Sequence, residues 1–410
     1  MSNQPQSHNH VVVIVGGGAA GISVAAGLLR RHGDLDVAVV EPSESHYYQP
    51  GWTLVGGGAM TAEETHRQER DYMPDRATWI KDAVESFQPD ENQVTLATGD
   101  KITYKYLVVA AGLKLDWESV SGLEDTLGNN GVTSNYRFDL APYTWRLTQE
   151  FSGGKALFTQ PAMPIKCAGA PQKAMYLSTD YWQKSGQSAD VHFYNQGGAM
   201  FGVPAYAEAL EKVVSDYGIH KHFGHNLTAV DGPAKKAWFE TEDGRVETDF
   251  ELLHVVPPQS APDFIKASPL SGDAGWVTVD KHSLRHTEHA NIYGLGDCTN
   301  TPNAKTAAAV RRQFPVVVSN LLRDLGHNAE EARYDGYGAC PLTTESGKVM
   351  LAEFRYDGEI VPSFPLDPRV PRRINWYMKR RFFPWLYWNV ILAGKDWNKP
   401  APKPRPDLLS

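Results

Sequence analysis

The sequence predicts an α/β protein with two parallel-sheet units and a chemically distinct C-terminal region, on three observations. Val11 to Val15 is a continuous run of β-branched residues that leads through glycines into a helix-compatible stretch and then a second apolar run. That order suits a strand buried on both faces of a parallel sheet, followed by its crossover helix. The same order begins again near residue 154, and from about residue 331 the composition shifts toward Tyr, Trp, Pro and Arg. The 410 residues suffice for two or three domains. Forty basic against 48 acidic side chains leave a net charge of −8, which argues against a chain that coats nucleic acid. Three cysteines exclude a disulfide framework. Mean hydropathy is −0.41, and no apolar run reaches the roughly 18 residues of a membrane span.

Met1 to His10 is polar, with neither the apolar core of a signal peptide nor an Arg-rich transit pattern. After the first strand, Ile22, Ala25, Ala26, Leu28 and Leu29 set a helical period that ends at Gly33, and Leu35 to Val40 reads as the next strand. Strand, glycine turn, helix and strand form one βαβ unit. Tyr106 to Ala111 is a further buried strand ending at Gly112. Gly153 and Gly154 mark a boundary before Lys155 to Thr159, and Thr179 to Lys184 lies in a helical stretch before the strand Ala189 to Tyr194. Near Asn291, NIYGLGDCTN and the Ala-rich TAAAVRRQ repeat a strand-turn-helix order, and the tail PAPKPRP is expected to lack order. The expected division is 11–120 with 276–330 as one dinucleotide-binding domain, 121–275 as a second Rossmann-like domain, and 331–410 as the C-terminal region.

Gly16, Gly18 and Gly21 are spaced GxGxxG directly after a strand, and Glu41 closes the next strand. Glycines permit the tight turn and bring a pyrophosphate close to the helix N-terminus, while a carboxylate at the second strand end takes ribose hydroxyls. The motif alone does not choose between FAD and NAD. In the late GLGDC segment, Asp297 follows a buried strand and precedes a helix whose N-terminus is expected to face the ligand. The second unit has QPAMPIKCAGAPQK where another glycine fingerprint would stand, and its next strand ends at Asn195 rather than at an acidic residue. A nicotinamide donor is therefore disfavoured.

Cys167 lies beside Lys166 and six residues before Lys173, cations that favour a thiolate. Cys340 sits between glycines and a proline in a stretch that reads as a loop. For either cysteine taken singly, a small buried apolar residue is an equal reading. Cys298 follows Asp297 and reads as structural.

The glycine motif with Glu41, the YLVVAAG segment carrying Ala111 and Gly112, and IYGLGD resemble the FAD-binding set of two-dinucleotide-domain flavoproteins. CAGAPQKAMYLSTDYW, FGVPAYAEALEKVV, GDCTNTPNAKTAAAV and CPLTTESGKVMLAEF resemble, more narrowly, the sulfide:quinone oxidoreductases, in the branch that includes the mitochondrial enzyme. The resemblance runs from residue 11 to about 398. It implies FAD contacted by Asp297 and approached by Lys305, and a redox pair of Cys167 and Cys340 with Lys173 as the active-site lysine. It further implies hydrogen sulfide as reductant, ubiquinone or another membrane quinone as acceptor, and a small thiol, sulfite or sulfide to collect the sulfur from a Cys167 persulfide. Some relatives attach FAD through a cysteine in the first third of the chain; none precedes Cys167 here, so the FAD is expected to be noncovalent. No metal is expected, and the family leaves room for a homo-oligomer.

A membrane quinone requires a membrane-contacting surface. PRRINWYMKRRFFPWLYWNVILAG interleaves basic residues with Trp376, Phe382, Phe383 and Trp385, a composition suited to a monotopic interface, and Pro384 is expected to split it into two short helices. Phe354 and Tyr356 are further candidates for the quinone pocket. Three rival readings remain at this point: a sulfide dehydrogenase subunit serving a haem partner, a type II NADH dehydrogenase, and an FAD-bound redox sensor or sulfane-sulfur carrier.

Overall fold

The computed structural model describes residues 7–396 and 403–409. Ser7–Val15 is a central strand of a seven-stranded sheet, with Val37–Val40 and Lys101–Val109 parallel to it on either side. Its register sets Val13 opposite Ala38 and Leu107, and Val12, Val13 and Ile14 are fully buried. Burial on both faces accounts for the unbroken apolar run. The strand begins at Ser7, ahead of that run, because ladder pairing with Lys101–Tyr104 uses backbone groups alone. Lys101–Val109 changes partner along its length. Its first half pairs antiparallel with Gln93–Leu96, and its end pairs parallel with Ile292–Gly294. The late IYG segment thereby returns to the sheet beside the glycine turn.

The first helix, Ala19–Arg31, follows that turn and packs in one core with the helix Ala307–Asp324. Five parallel strands form the second sheet, in the order Val132–Thr133, Leu252–His254, Lys155–Gln160, Asp190–Asn195 and His220–Phe223. Gly153 and Gly154, at φ of 121° and 94°, lead into Lys155–Gln160, and the helix Ala170–Ser185 crosses from there to Asp190–Asn195. Ala261, Ile265 and Leu270 pack beneath the first sheet.

Two expectations for the C-terminal region are corrected. Cys340 lies in a strand, Gly338–Glu345, paired antiparallel with Lys348–Phe354 and set opposite Ala352. Pro341 is tolerated there because a two-stranded ribbon leaves each strand an unpaired edge. Pro384 does not split the following segment. The helical path runs on from Arg373 to Ile391 through π-turns at Met378–Phe382 and Tyr387–Ile391, with Phe383 N–H donating to Met378 O and Leu392 N–H to Tyr387 O. The wider turns carry the backbone ladder past a residue that has no N–H to give. Beyond this helix, a Cβ on Gly394 would sit 2.2 Å from Gly27 N, so the chain docks backbone to backbone on the first helix. Of the Pro-rich tail, residues 400–402 lie outside the described residues, while Pro406–Leu408 forms a 3-10 turn and Leu409 packs on the second core. Among the described residues no helix is long and apolar enough to cross a membrane.

Candidate active site

A cavity of about 830 Å³ runs from the opening glycines, past Cys167, to the C-terminal helix. At one end it is lined by Gly16, Gly17, Gly18 and Glu41. Gly16 has φ +103°, and a Cβ there would lie 2.6 Å from Ala110 O; one on Gly21 would lie 1.8 Å from Gly16 O. Only hydrogen fits at either position. Gly18 would meet nothing within 4 Å, leaving its open side to the cavity. Glu41 accepts from Gly17 N and Ser43 N, each at 2.7 Å, and each oxygen keeps a lone pair for a ligand hydroxyl.

Sequence reasoning missed Glu69, His46 and Tyr387. Glu69, 2% exposed, shares its Oε2 with His46 Nδ1 at 2.9 Å, and His46 Nε2 meets Tyr387 OH at 2.7 Å. Its other oxygen is buried without a partner on the cavity wall, beside Gly17. An unpartnered carboxylate oxygen next to a glycine cradle fits the polar part of a dinucleotide. No local motif marks this trio, which is assembled by the pairing of Ser45–Tyr47 with His66–Gln68 and by the returning C-terminal helix.

Ala111, Gly112, Asp297 and Lys305 all line the cavity. Asp297 lies in a single 3-10 turn, Gly296–Cys298, and not at a helix start. The helix begins at Ala307, capped by Thr306, whose hydroxyl accepts from Ala309 N at 3.2 Å, and Thr306, Ala307 and Ala308 are the helix-end residues that face the cavity. The intervening loop is held open by Lys305, whose Nζ donates to Asp297 O at 2.7 Å and Thr299 O at 2.8 Å above the Trp276 ring. Burial raises the Asp297 carboxyl above its ordinary range, against the pull of Lys305 and Lys166. Burial likewise lowers Lys305, against Asp297.

Cys167 sits in the left-handed region at φ +47°, a conformation that costs an L-residue about 1–2 kcal/mol. Its surroundings hold it there. Cys167 N donates to Lys305 O at 2.9 Å, Ala170 N donates to Cys167 O at 2.7 Å, and the Tyr136 hydroxyl reaches Lys166 O at 3.0 Å and Cys167 O at 3.2 Å. Lys173, on the helix that follows, is 3% exposed and donates to Cys167 Sγ at 3.2 Å. The Cys340 thiol donates to the same sulfur. Ala339 and Pro341 line the cavity with Cys167 and Lys173, and Cys340, between them on the strand, is buried in the second core against Cys167. A Cβ on Gly169 would lie 2.5 Å from Cys340 Sγ, so glycine there is what lets the sulfurs converge.

Lys379, one of the basic residues of the C-terminal stretch expected to meet lipid headgroups, instead turns inward and completes the cluster. It is 4% exposed on the first π-turn, with Nζ donating to Pro341 O at 2.9 Å and to Thr343 Oγ1 at 2.5 Å. The hydrogen bond from Cys340, with Lys173, holds Cys167 well below the usual thiol range despite burial, and the same bond with burial pushes Cys340 well above it. Burial lowers Lys173, but the two cysteines outweigh it and its net shift is upward. Lys379 is lowered by burial and by repulsion from Lys173. Lys173 therefore stands beside the cysteine pair as a cation the cysteines favour, while burial disfavours the charge on Lys379. Cys298 is separate: fully buried, it donates weakly to Val109 O and Leu295 O, and burial pushes its thiol up to about 11.

At the far end Phe382 and Phe383 line the cavity. Trp376 packs against the Trp52 cluster, and Trp385 is 47% exposed in a different cleft, with Gly27 and Val318. Phe354 and Tyr356 do not line the cavity. Phe354 packs edge-on against Phe201, and the Tyr356 hydroxyl donates to Lys281 O at 2.7 Å. For Phe354 strand alternation is the reason, since Leu351 and Glu353 take the cavity side of the hairpin, and Tyr356 lies beyond the strand in a 3-10 turn.

Residues 10–143 match the family model for pyridine nucleotide-disulphide oxidoreductases. The mitochondrial sulfide:quinone oxidoreductase of Dictyostelium discoideum is 42% identical over 393 residues, 95% of this chain and 87% of that protein. The chain belongs to the sulfide:quinone oxidoreductase family. The mouse mitochondrial sulfide:quinone oxidoreductase is also 42% identical, over 96% of this chain and 88% of its own length. The crystal structure of the Aquifex aeolicus sulfide:quinone oxidoreductase superposes with a TM-score of 0.78 at 20% identity, covering 95% of this chain and 92% of that one, and shares the fold.

Proposed function

We propose that this member of the sulfide:quinone oxidoreductase family oxidises hydrogen sulfide and reduces a membrane quinone, with noncovalent FAD between them. The observation that carries the reading is the convergence of Cys167, Cys340 and Lys173 beside the wall of one cavity that begins at the dinucleotide glycines and ends at the aromatic C-terminal helix. Gly16, Gly18, Gly21, Glu41 and Asp297 would hold FAD, with Ala111, Gly112 and Lys305 along its length and Glu69 as a further polar contact. When bound, FAD supplies a two-electron sink between the cysteines and the quinone.

The chain's own chemistry is nucleophilic. With the pair bridged, hydrosulfide attacks the Cys167 sulfur, the S–S bond breaks, and Cys340 leaves as a thiolate while Cys167 keeps the persulfide. Lys173 and Lys379 offset the new charge in a site with little water. A small thiol, sulfite or sulfide then takes the sulfane sulfur, and the freed pair closes again as it gives up two electrons. Tyr136 and Lys305, which clamp the strained Cys167 turn, are positioning residues.

Domain roles follow the sheets: the first sheet with the returning 276–330 segment for the cofactor, the second for the Cys167 loop, and the C-terminal region for Cys340 and the membrane. Ile374 (56% exposed), Tyr377 (65%), Phe382 (39%) and Trp385 (47%), interleaved with arginines, suit peripheral attachment to a bilayer surface. The deciding experiment adds sulfide anaerobically to the purified protein, follows flavin absorbance, and then adds a short-chain ubiquinone. Bleaching by sulfide and recovery with quinone are expected; a flavin that ignores sulfide but is bleached by NADH would overturn the reading.

A further inference from the structure

Reducing a quinone to its quinol takes up two protons with the two electrons. The cysteine pair and its lysines account for the sulfide side, and they leave open how a proton reaches the quinone at the other end of the cavity. Ser363 and Phe364 line this cavity, as do Phe382 and Phe383 of the C-terminal helix, and Glu353 is a carboxyl group on its wall outside the dinucleotide cradle. Glu353 is 3% exposed and faces the cavity from the Lys348–Phe354 strand. Its Oε1 accepts from Tyr337 OH at 2.6 Å and from Ser363 Oγ at 2.5 Å, and its Oε2 accepts from Ser363 N at 2.8 Å. Ser363, in contrast, is exposed. A hydroxyl both accepts and donates, so an exposed serine bonded to a buried carboxylate is a one-step link between water and the cavity.

We infer that Glu353 is the proton-transfer residue of the quinone end of this cavity, reloaded from water through the Ser363 hydroxyl. The inference rests on the reading of the chain as a sulfide:quinone oxidoreductase. The balance closes on the reaction itself: hydrogen sulfide gives up two electrons and two protons as its sulfur becomes sulfane sulfur, and the quinone takes up two of each. One proton travels with the electron pair. The other passes from the protonated Glu353 to a quinone oxygen, leaving a carboxylate that takes its next proton from Ser363, which is reprotonated by water. Tyr337 donates to Glu353 and steadies that carboxylate. The plainer role for Glu353 is to anchor the loop that carries Ser363, and the two roles predict different behaviour.

The test uses the flavin-loaded full chain with Glu353→Gln, comparing two acceptors for the electrons of sulfide: a short-chain ubiquinone, which needs protons, and ferricyanide, which needs none. Sulfide should bleach the flavin of the variant as in wild type and ferricyanide should restore it at the normal rate, while reoxidation by ubiquinone slows roughly 100-fold, the usual span for a lost general acid. In Glu353→Ala, added acetate should restore part of the ubiquinone rate and leave the ferricyanide rate unmoved. Equal losses with both acceptors, or no loss with ubiquinone, would overturn the inference. Should both Glu353 variants fail to fold, Ser363→Ala removes only an exposed hydroxyl; a several-fold slower ubiquinone step supports the relay, and an unchanged one refutes it. Failure of sulfide to bleach the wild-type flavin sinks the underlying reading instead, so the two failures are distinct.

Discussion

Replacing Lys173 by Gln tests whether a buried ammonium makes Cys167 the reactive sulfur. Lys173 Nζ lies 3.2 Å from Cys167 Sγ. Unit charges at that separation attract by about 5 kcal/mol at an effective dielectric of about 20. Not all of that is lost, because Lys379 still acts on the pair, the Cys340 thiol still donates, and water will enter the space vacated. About 2 to 3 kcal/mol of thiolate stabilisation should disappear, which divides the thiolate-to-thiol ratio by roughly 30 to 150 and moves the Cys167 titration upward. The assay is alkylation of the reduced protein by iodoacetamide, with the Cys167 peptide quantified by mass spectrometry over a pH series. The sign follows from the direction of the shift. A depressed thiol stays ionised as the pH falls through the ordinary thiol range, so the wild-type rate should be flat across neutrality. In Lys173→Gln the rise of the rate with pH should begin at a higher pH than in wild type. Cys298 serves as the internal control, unlabelled while the protein is folded. A pH profile of Cys167 alkylation that does not move upward in Lys173→Gln would refute the electrostatic argument and leave the hydrogen bond from Cys340 as the main cause.

Cys167→Ser and Cys340→Ser should each abolish sulfide-dependent turnover, whereas Cys298→Ser should keep most of it; equal loss in all three would show that the division between pair and bystander is wrong. Gly169→Ala places a methyl 2.4 Å from Leu342 Cδ2 and 2.5 Å from Cys340 Sγ, so thermal unfolding should show about 1–3 kcal/mol lost to overpacking, and the rate at which the two thiols form a disulfide should fall. Gly21→Ala sets a methyl against Gly16 O and should yield protein that purifies without flavin colour. Ile374→Glu combined with Tyr377→Glu alters only exposed side chains and should weaken co-sedimentation with phospholipid vesicles while sulfide still bleaches the flavin.

Much of the molecule is legible locally. The run Val11 to Val15, the glycines after it and Glu41 announce a strand, a turn and a strand end within about thirty residues, because backbone permissiveness and burial on two faces leave marks at short range. Thr179 to Lys184 reads as helical, though that helix already starts at Ala170, and Lys173, six residues after Cys167, could be named as a cation favouring its thiolate. The misreadings have a common origin. Pro384 breaks helices by rule, yet two π-turns absorb it. Cys340 and Pro341 look like a loop, yet a two-stranded ribbon accepts proline at its edge. Phe354 and Tyr356 read as lining the same cavity, yet strand alternation turns Phe354 away from it and Tyr356 lies beyond the strand.

The sequence by itself determined the strand, turn and helix of the opening unit, where a dinucleotide's phosphates would be approached, and that Cys167 has cationic neighbours. The tertiary structure alone decided that Cys167, Cys340 and Lys379 share one site, and that His46, Glu69 and Tyr387 meet behind the glycine turn. The physical reason is that periodicity records which face of an element is apolar and says nothing of what will cover it. That choice is made when the Gly338–Phe354 hairpin buries its apolar face on the second core and the chain beyond the C-terminal helix docks on Gly27, bringing together polar groups that lie up to 341 positions apart along the chain.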